Sequence, residues 1–241
     1  MSRIGNEFGG PAKERSGWLI PLAVFVITAA LTSLFLAYYL YGPRLLGAEP
    51  PAPTDSVEPV ALEVHGTGFH IPANYILFAS ARKGGSVEKL DMVALLPDLQ
   101  GYTLGSADAF SSDESNSPVV SLSLGSNGLA ISDGERLDRI YMPYITNPDG
   151  AQGPYGLTQY DFNADSGYRD QVLFVSATPT GQALFLCFKP SELVPAPTCL
   201  RTVPVAEHLS LTYRFKRLQL EHWNDIDTGI RALIGAFMDR T

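Results

Sequence analysis

The segment from Asp161 to Gly167 sets three oxygen-bearing side chains, Asp161, Asn163 and Asp165, two residues apart and follows them with a glycine. A hard cation such as Ca2+ is wrapped by oxygens at alternating loop positions, with glycine sixth for the sharp turn and a bidentate Glu twelfth. Here Ser166 stands sixth, Gly167 seventh and Val172 twelfth. A polar hairpin turn between two strands accounts for the same residues without a metal. No cofactor is therefore expected, and the three side chains stand only as a candidate calcium set.

Other motifs carry less. Ser86 and Lys89 have the Ser-x-x-Lys spacing of penicillin-interacting enzymes, where the motif opens a helix with Ser as nucleophile. Here the pair lies in a strand-like run after Gly84-Gly85, and no Lys-Thr-Gly follows. The four histidines, His65, His70, His208 and His222, lack metal-helix spacing. There is no Gly-x-Ser-x-Gly elbow, no His-Glu-x-x-His and no phosphate-binding loop. A Ser/His/Asp hydrolase assembled in space stays open as an alternative.

Arg214, Lys216 and Arg217 form the one basic cluster. They could meet an anionic partner, or simply protect a solvated strand face. Cys187 and Cys199 are the only cysteines, too far apart for a redox pair and too few for zinc. Their segment reads as strand, turn, strand. An antiparallel pair would set the two Cβ atoms opposite each other, and an oxidising compartment would close a disulfide.

These residues have to be positioned by a chain that begins with a membrane signal. Trp18 to Tyr41 contains no charged residue, and as a helix these residues rise about 36 Å, enough for a bilayer core of about 30 Å. The apolar run is longer than a secretory leader's, and Leu46-Gly47-Ala48 is a poor cleavage site, so a retained single-pass anchor is expected over residues 16–43. Arg3, Lys13 and Arg15 precede it and only Arg44 follows closely. The positive-inside bias then puts 1–15 in the cytoplasm and the rest in the periplasm or an equivalent space. Ala29, Ser33 and Ala37 make a small-residue line that could admit another helix, or be ordinary lipid-facing content.

Residues 44–59 are Pro-rich and acidic, expected to form a semi-rigid spacer. Residues 60–241 form the exported domain. Beyond residue 47 the chain carries 13 basic and 23 acidic side chains, a net of −10, which excludes nucleic acid as a partner. Strands are expected at 60–64, 75–79, 87–96, 119–124, 157–162, 171–177, 183–188 and 209–220, with turns at Gly84-Gly85, Asn127-Gly128 and Thr180-Gly181. In the last strand Leu209, Leu211, Tyr213 and Phe215 alternate, then the phase switches to Leu218 and Leu220, which predicts a bulge near Lys216 and Arg217. One helix starts at Asp133, with Ser132 and Glu135 in capping-box spacing, and stops before Pro143. A second starts near Asn224 or Asp225, its face formed by Ile226, Ile230, Leu233, Ile234 and Phe237, with Asp227 able to pair with Arg231.

The expected fold is α+β, mainly β: one N-terminal transmembrane helix, then an antiparallel β-rich sandwich or half-open barrel with a docked C-terminal helix. The runs His70 to Phe78, Lys83-Gly84-Gly85, Leu90-Asp91-Met92 and Leu96 to Tyr102 resemble uncharacterised single-pass, membrane-anchored periplasmic proteins of alphaproteobacteria. The resemblance implies a bacterial inner membrane and brings no activity or site residues. The expected function is that of an accessory or interaction protein, such as a subunit of an inner-membrane complex, with a protein partner in the membrane or periplasm. A periplasmic module binding glycan or peptide, its site lined by Tyr155, Tyr160 and Tyr168, is the alternative.

Overall fold

The structure, a computed structural model, describes residues 17–45, 49–126, 131–178 and 181–238. The chain divides into two units, Met1–Pro50 and Pro51–Thr241. In the first, helix α1 spans Leu19–Leu45. Its stretch Leu19–Leu40, of mean hydropathy 2.4, is long and apolar enough to cross a membrane, a property that signal sequences share. Thr28 Oγ1 donates to the Val24 carbonyl at 2.9 Å, which removes an unsatisfied hydroxyl from the apolar surface.

The second unit is built on two sheets. Strands β1 (Pro59–Val64), β2 (Thr67–Pro72) and β3 (Gly85–Val87) make a small sheet in the order β2-β1-β3. The large sheet holds β4 (Lys89–Leu95), β5 (Val119–Gly125), β6 (Ala151–Gln152), β7 (Thr158–Asp161), β8 (Gln171–Thr178), β9 (Gly181–Phe188), β10 (Thr198–Ala206) and β11 (Leu209–Lys216). Its order is β4-β5-β11-β10-β9-β8-β7-β6, antiparallel throughout. Short helices α2 (Ala107–Ser111) and α3 (Asp133–Arg136) lie in the connections, and α4 (Trp223–Phe237) ends the domain.

Inward residues of both sheets meet α4 in one core. Leu62, Val64, Phe69 and Ile71 pack with Leu90, Met92, Leu122, Leu211 and Phe215, and Ile226, Ile230, Ile234 and Phe237 of α4 complete it. Each fully buried Ile contributes on the order of 1.5–3 kcal/mol, which is why a stripe at helical spacing docks. A second, smaller core lies on the opposite face of β7–β9, where Leu173, Val175 and Leu184 pack under Leu137, Tyr141 and Ile145. The strands β8 and β9 are thus covered on both faces, and their sequences read as continuous apolar runs rather than alternating ones.

Several sequence expectations are corrected. Residues 75–79 form no strand: Ala73–Tyr75 is a 3-10 turn and only Ile76 bridges to Met92. The side chains there serve the core instead, with Tyr75 donating to the Leu99 carbonyl at 3.0 Å and meeting Phe237 edge-on. The run 87–96 is two strands in different sheets, broken at Glu88. No bulge occurs at Lys216 and Arg217. The phase switch there is the exit from the sheet into a 3-10 turn over Arg217–His222, fixed by the Arg217 N–H donating to the Pro197 carbonyl at 2.8 Å. The register irregularity falls instead between Pro204 and Ala206 of β10, where proline has no N–H for the ladder.

At Ser132 the capping box forms, but the α-turns end at Arg136 and widen over Leu137–Tyr141, where the Met142 N–H reaches back five residues to the Leu137 carbonyl. Pro143 does not end the coil; it sits in the first turn of a 3-10 helix, Met142–Tyr144, where no N–H is required. The spacer packs earlier than expected: the Ala52 N–H donates to the Leu77 carbonyl at 3.0 Å, and Pro51 onward belongs to the domain unit. The expected turns at Asn127-Gly128 and Thr180 lie outside the described residues.

Candidate protein-binding surface

The large sheet is almost two sheets. Between β9 and β10 only Cys199↔Cys187 and Leu200↔Leu186 are paired, and the two cysteines are disulfide-bonded, as the sequence reading expected. Past that junction Arg201, the next residue of β10, is 2% exposed. Its Nε donates to Asp227 Oδ1 of α4 at 2.8 Å and its Nη2 to Asp133 Oδ2 of α3 at 3.0 Å, while its Cζ lies 5.3 Å over the Phe185 ring of β9. Tyr213 of β11 donates to Asp227 Oδ1 at 2.6 Å, and Arg231 Nε to Asp227 Oδ2 at 3.1 Å. The expected Asp227–Arg231 pair is therefore one side of a larger brace that ties two helices to β10 and β11 where the sheet parts.

Charge decides how that brace titrates. Burial pushes Asp227 up, but Arg201, the Tyr213 hydroxyl and Arg231 outweigh it and hold the carboxyl below its usual value. Burial raises Asp133, and Arg201 and Arg136 offset only part of it. Burial and the Asp227 charge push Tyr213 well above its ordinary value, so it stays a donor. The stability that Asp227 contributes is complete above the unfolded carboxylate value, about 4, and is lost as pH falls through its lower folded value. Asp133 has the opposite sign: its ionised form is disfavoured by folding, a cost that sets in as pH rises from the unfolded to the higher folded value. On acidification Asp133 is expected to take its proton first. Carboxyl NMR titration checks the order, and the stability deficit of Asp227→Asn should shrink from pH 7 to pH 3 in urea denaturation.

Among the described residues, no second core covers the outer face of the half of the sheet formed by β4, β5, β11 and β10. Register places its outward residues in rows: Arg214 beside Ser121 and Leu200, with Val93 beyond Ser121; then Thr212 beside Ser123 and Thr202, with Asp91 beyond Ser123. The Thr202 and Thr212 hydroxyls meet at 2.9 Å. One edge of this face is walled by Pro51, Pro53 and Leu77, and one end by Phe110 and Asp113, enclosing a groove of about 430 Å³ that Arg214 and Lys216 line.

The three clustered cations therefore separate. Arg214 and Lys216 share the outer face of β11, two residues apart. Arg217 turns away: its Nη1 donates to the Phe188 carbonyl at 3.0 Å and its Cζ lies 5.4 Å over the Phe174 ring. It lines a different depression, about 350 Å³, with Pro154, Tyr155, Pro190, Pro195 and Leu218. Around that depression large apolar side chains face water: Leu218 is 58% exposed, Tyr155 54%, and Leu193, on the loop between Pro190 and Pro195, 94%. Tyr155 holds φ 56°, a left-handed conformation uncommon for a non-glycine residue, and its carbonyl accepts from Trp223 Nε1 at 3.3 Å. Backbone held in such a conformation presents a side chain where the sequence alone would not place it.

Other expected sites lie elsewhere. Asp161 accepts from Gln159 at 2.9 Å and ion-pairs with Lys189 at 3.4 Å, Asn163 accepts from Thr146 at 3.2 Å, and Asp165 lies on the exposed turn. Among the described residues no group of three or more His, Cys, Asp or Glu is placed to hold a metal. Ser86 and Lys89 fall in strands of different sheets. Of the three tyrosines considered for a ligand site, Tyr160 packs against the second core and Tyr168 stacks on Phe162 at 4.9 Å; only Tyr155 faces out. Ala29, Ser33 and Ala37 stand one turn apart along α1. The brace was not foreseen. Its one signal is Arg201 itself, which occupies an inward position between Cys199 and Val203, where a charge demands buried partners.

With 16% identity and a TM-score of 0.53, an immunity protein of the Stenotrophomonas maltophilia type IV secretion system, Smlt3025, aligns over 77% of this chain and 95% of its own. The likeness is one of fold. The iron-regulated outer membrane lipoprotein FrpD of Neisseria meningitidis aligns with 13% identity and a TM-score of 0.47, over 80% of this chain and 98% of its own. No protein-family model matches the chain, and no curated protein matches it.

Proposed function

We propose that this chain is a membrane-anchored accessory protein of the bacterial inner membrane, with its N-terminus in the cytoplasm and its disulfide-bonded domain binding a protein partner in the periplasm. The observation that carries the reading is the depression lined by the outward-facing Tyr155 and Leu218, with Leu193 exposed on the loop between its lining residues Pro190 and Pro195. Large apolar side chains grouped at one place on a soluble surface mark an interaction site, and aromatic residues are enriched at such centres. The Cys187–Cys199 bond is in keeping with an oxidising compartment, and the basic residues before the span with a cytoplasmic N-terminus. A neighbour in fold described as an immunity protein is in keeping with a protein partner.

The test is a photo-crosslinking amino acid placed at position 193 or 218 of the full-length protein in native membranes. A discrete adduct is expected from both positions and none from position 63, on the exposed side of β1. Leu193→Asp combined with Leu218→Asp should abolish an adduct formed through a crosslinker at Tyr155. In spheroplasts, added protease should digest the domain. Equal labelling from all positions, or a domain protected until the membrane is opened, would overturn the reading.

A further inference from the structure

We infer that the outer face of β4, β5, β11 and β10 is a docking groove for an extended acidic segment of a protein partner, with Arg214 its carboxylate anchor. The inference rests on the partner-binding reading above and adds a second contact of stated chemistry. Arg214 is exposed and lines both depressions of this face, and its guanidinium, among the described residues, has neither a hydrogen bond nor an ion pair. In a chain that carries a net charge of −10 beyond residue 47, a cation left unpaired within a groove selects for carboxylates against the charge of everything around it. A guanidinium meets a carboxylate in a bidentate, charge-assisted geometry that an ammonium cannot match.

Carboxylates of the chain's own already meet cations on this face: Asp91 pairs with Lys89 at 2.9 Å, and Asp113 with Lys216. Asp113, in the acidic connection after α2, reaches Lys216, with Nζ 3.7 Å from Asp113 Oδ1 and donating to the Asp113 carbonyl at 3.3 Å. The Asp113 side chain itself stays in solvent, and the contact brings an irregular acidic stretch of polypeptide to this cationic end through side chain and main chain together. Arg214 is the next outward cation along β11 and lacks such a guest.

Dimensions fit a peptide. The outward residues Ser210, Thr212, Arg214 and Lys216 run for about 20 Å, the length of some six extended residues. Outward neighbours two apart repeat at about 7 Å, and so do acidic side chains at alternate positions of an extended guest. The floor between them consists of hydroxyls, Ser121, Ser123 and Thr212, each able to donate to or accept from a guest backbone. The wall of Leu77, Pro51 and Phe110 offers apolar surface for the guest's intervening side chains. An acidic sugar would use Arg214 but leave that wall without a partner, which favours the peptide.

The test uses the full-length protein in uncharged detergent micelles and a fluorescent six-residue peptide of alternating Val and Glu. Anisotropy should show binding that weakens with salt and falls about tenfold in Arg214→Gln, the loss expected for one charge-assisted bond. Arg217→Gln should leave it unchanged, and the Gln counterpart of the peptide should bind at least tenfold more weakly. An unaltered thermal melt shows that Arg214→Gln keeps its fold. Equal binding of the Glu and Gln peptides, or no effect of Arg214→Gln, overturns the groove. So does saturable binding of a hexauronate where the peptide fails. No peptide binding by the unaltered protein, with the adducts at 193 and 218 intact, overturns the groove alone.

Discussion

Replacing Arg201 by Ala should destabilise the domain by about 3–5 kcal/mol, the cost of removing one partner from a buried ion pair. The reason lies in what is left behind. Asp227 and Asp133 are both largely buried, and Arg201 is the residue that faces both. Without it Asp227 retains Tyr213 and Arg231, but Arg231 is half-exposed and screened. Asp133 retains no short contact to a cation among those described, and the carboxyl becomes protonated or draws in water. Because Asp133 begins α3, the segment over the second core should loosen with it. Urea denaturation measures the first effect, and hydrogen exchange at Leu137 and Tyr141 the second. Arg201→Leu with Asp227→Leu and Asp133→Leu together should restore part of the loss, since apolar replacement of a whole buried cluster is often tolerated. A loss below about 1 kcal/mol for Arg201→Ala would show that the brace is incidental.

Removing the disulfide by Cys187→Ala and Cys199→Ala should cost about 3 kcal/mol, the chain-entropy value for a loop of this size. The location makes the effect local as well as global. Only two residue pairs join β9 to β10, and the bond links one of them. Amides bonded across the β9–β10 junction should therefore lose exchange protection before those of the β8–β9 and β10–β11 pairings, which extend over eight positions each. Uniform loss across the sheet would contradict this picture.

How far the sequence reveals all this depends on which forces are local. The C-terminal helix is legible because Ile226, Ile230 and Ile234 repeat at helical spacing, and β5, β8, β9 and β11 because their apolar runs are bounded by turn residues. The Cys187–Cys199 bond is legible because a strand, a short turn and a strand leave antiparallel pairing as the simplest outcome. Non-local effects are not. Arg201 and Asp227 lie 26 residues apart, and neither shows its partner in its own neighbourhood. The switch of phase after Phe215 has the same signature whether a strand bulges or leaves its sheet. The docking of Ala52 on Leu77 leaves no trace in a proline-rich segment. At the candidate surface, the cations Arg214, Lys216 and Arg217 are visible as residue types. Their division between two faces, and the hydroxyl rows beside Arg214, emerge only once three strands are in register.

That register has a consequence for how the protein can change. Along β11 the odd-numbered residues, Leu209, Leu211, Tyr213 and Phe215, are committed to the interior, while Thr212, Arg214 and Lys216 line the outer face. Foldedness and partner choice are thus written in alternate letters of one short stretch. Drift in the even letters can retune which guest is preferred without disturbing the odd ones, so divergent descendants could keep one scaffold while trading allegiance.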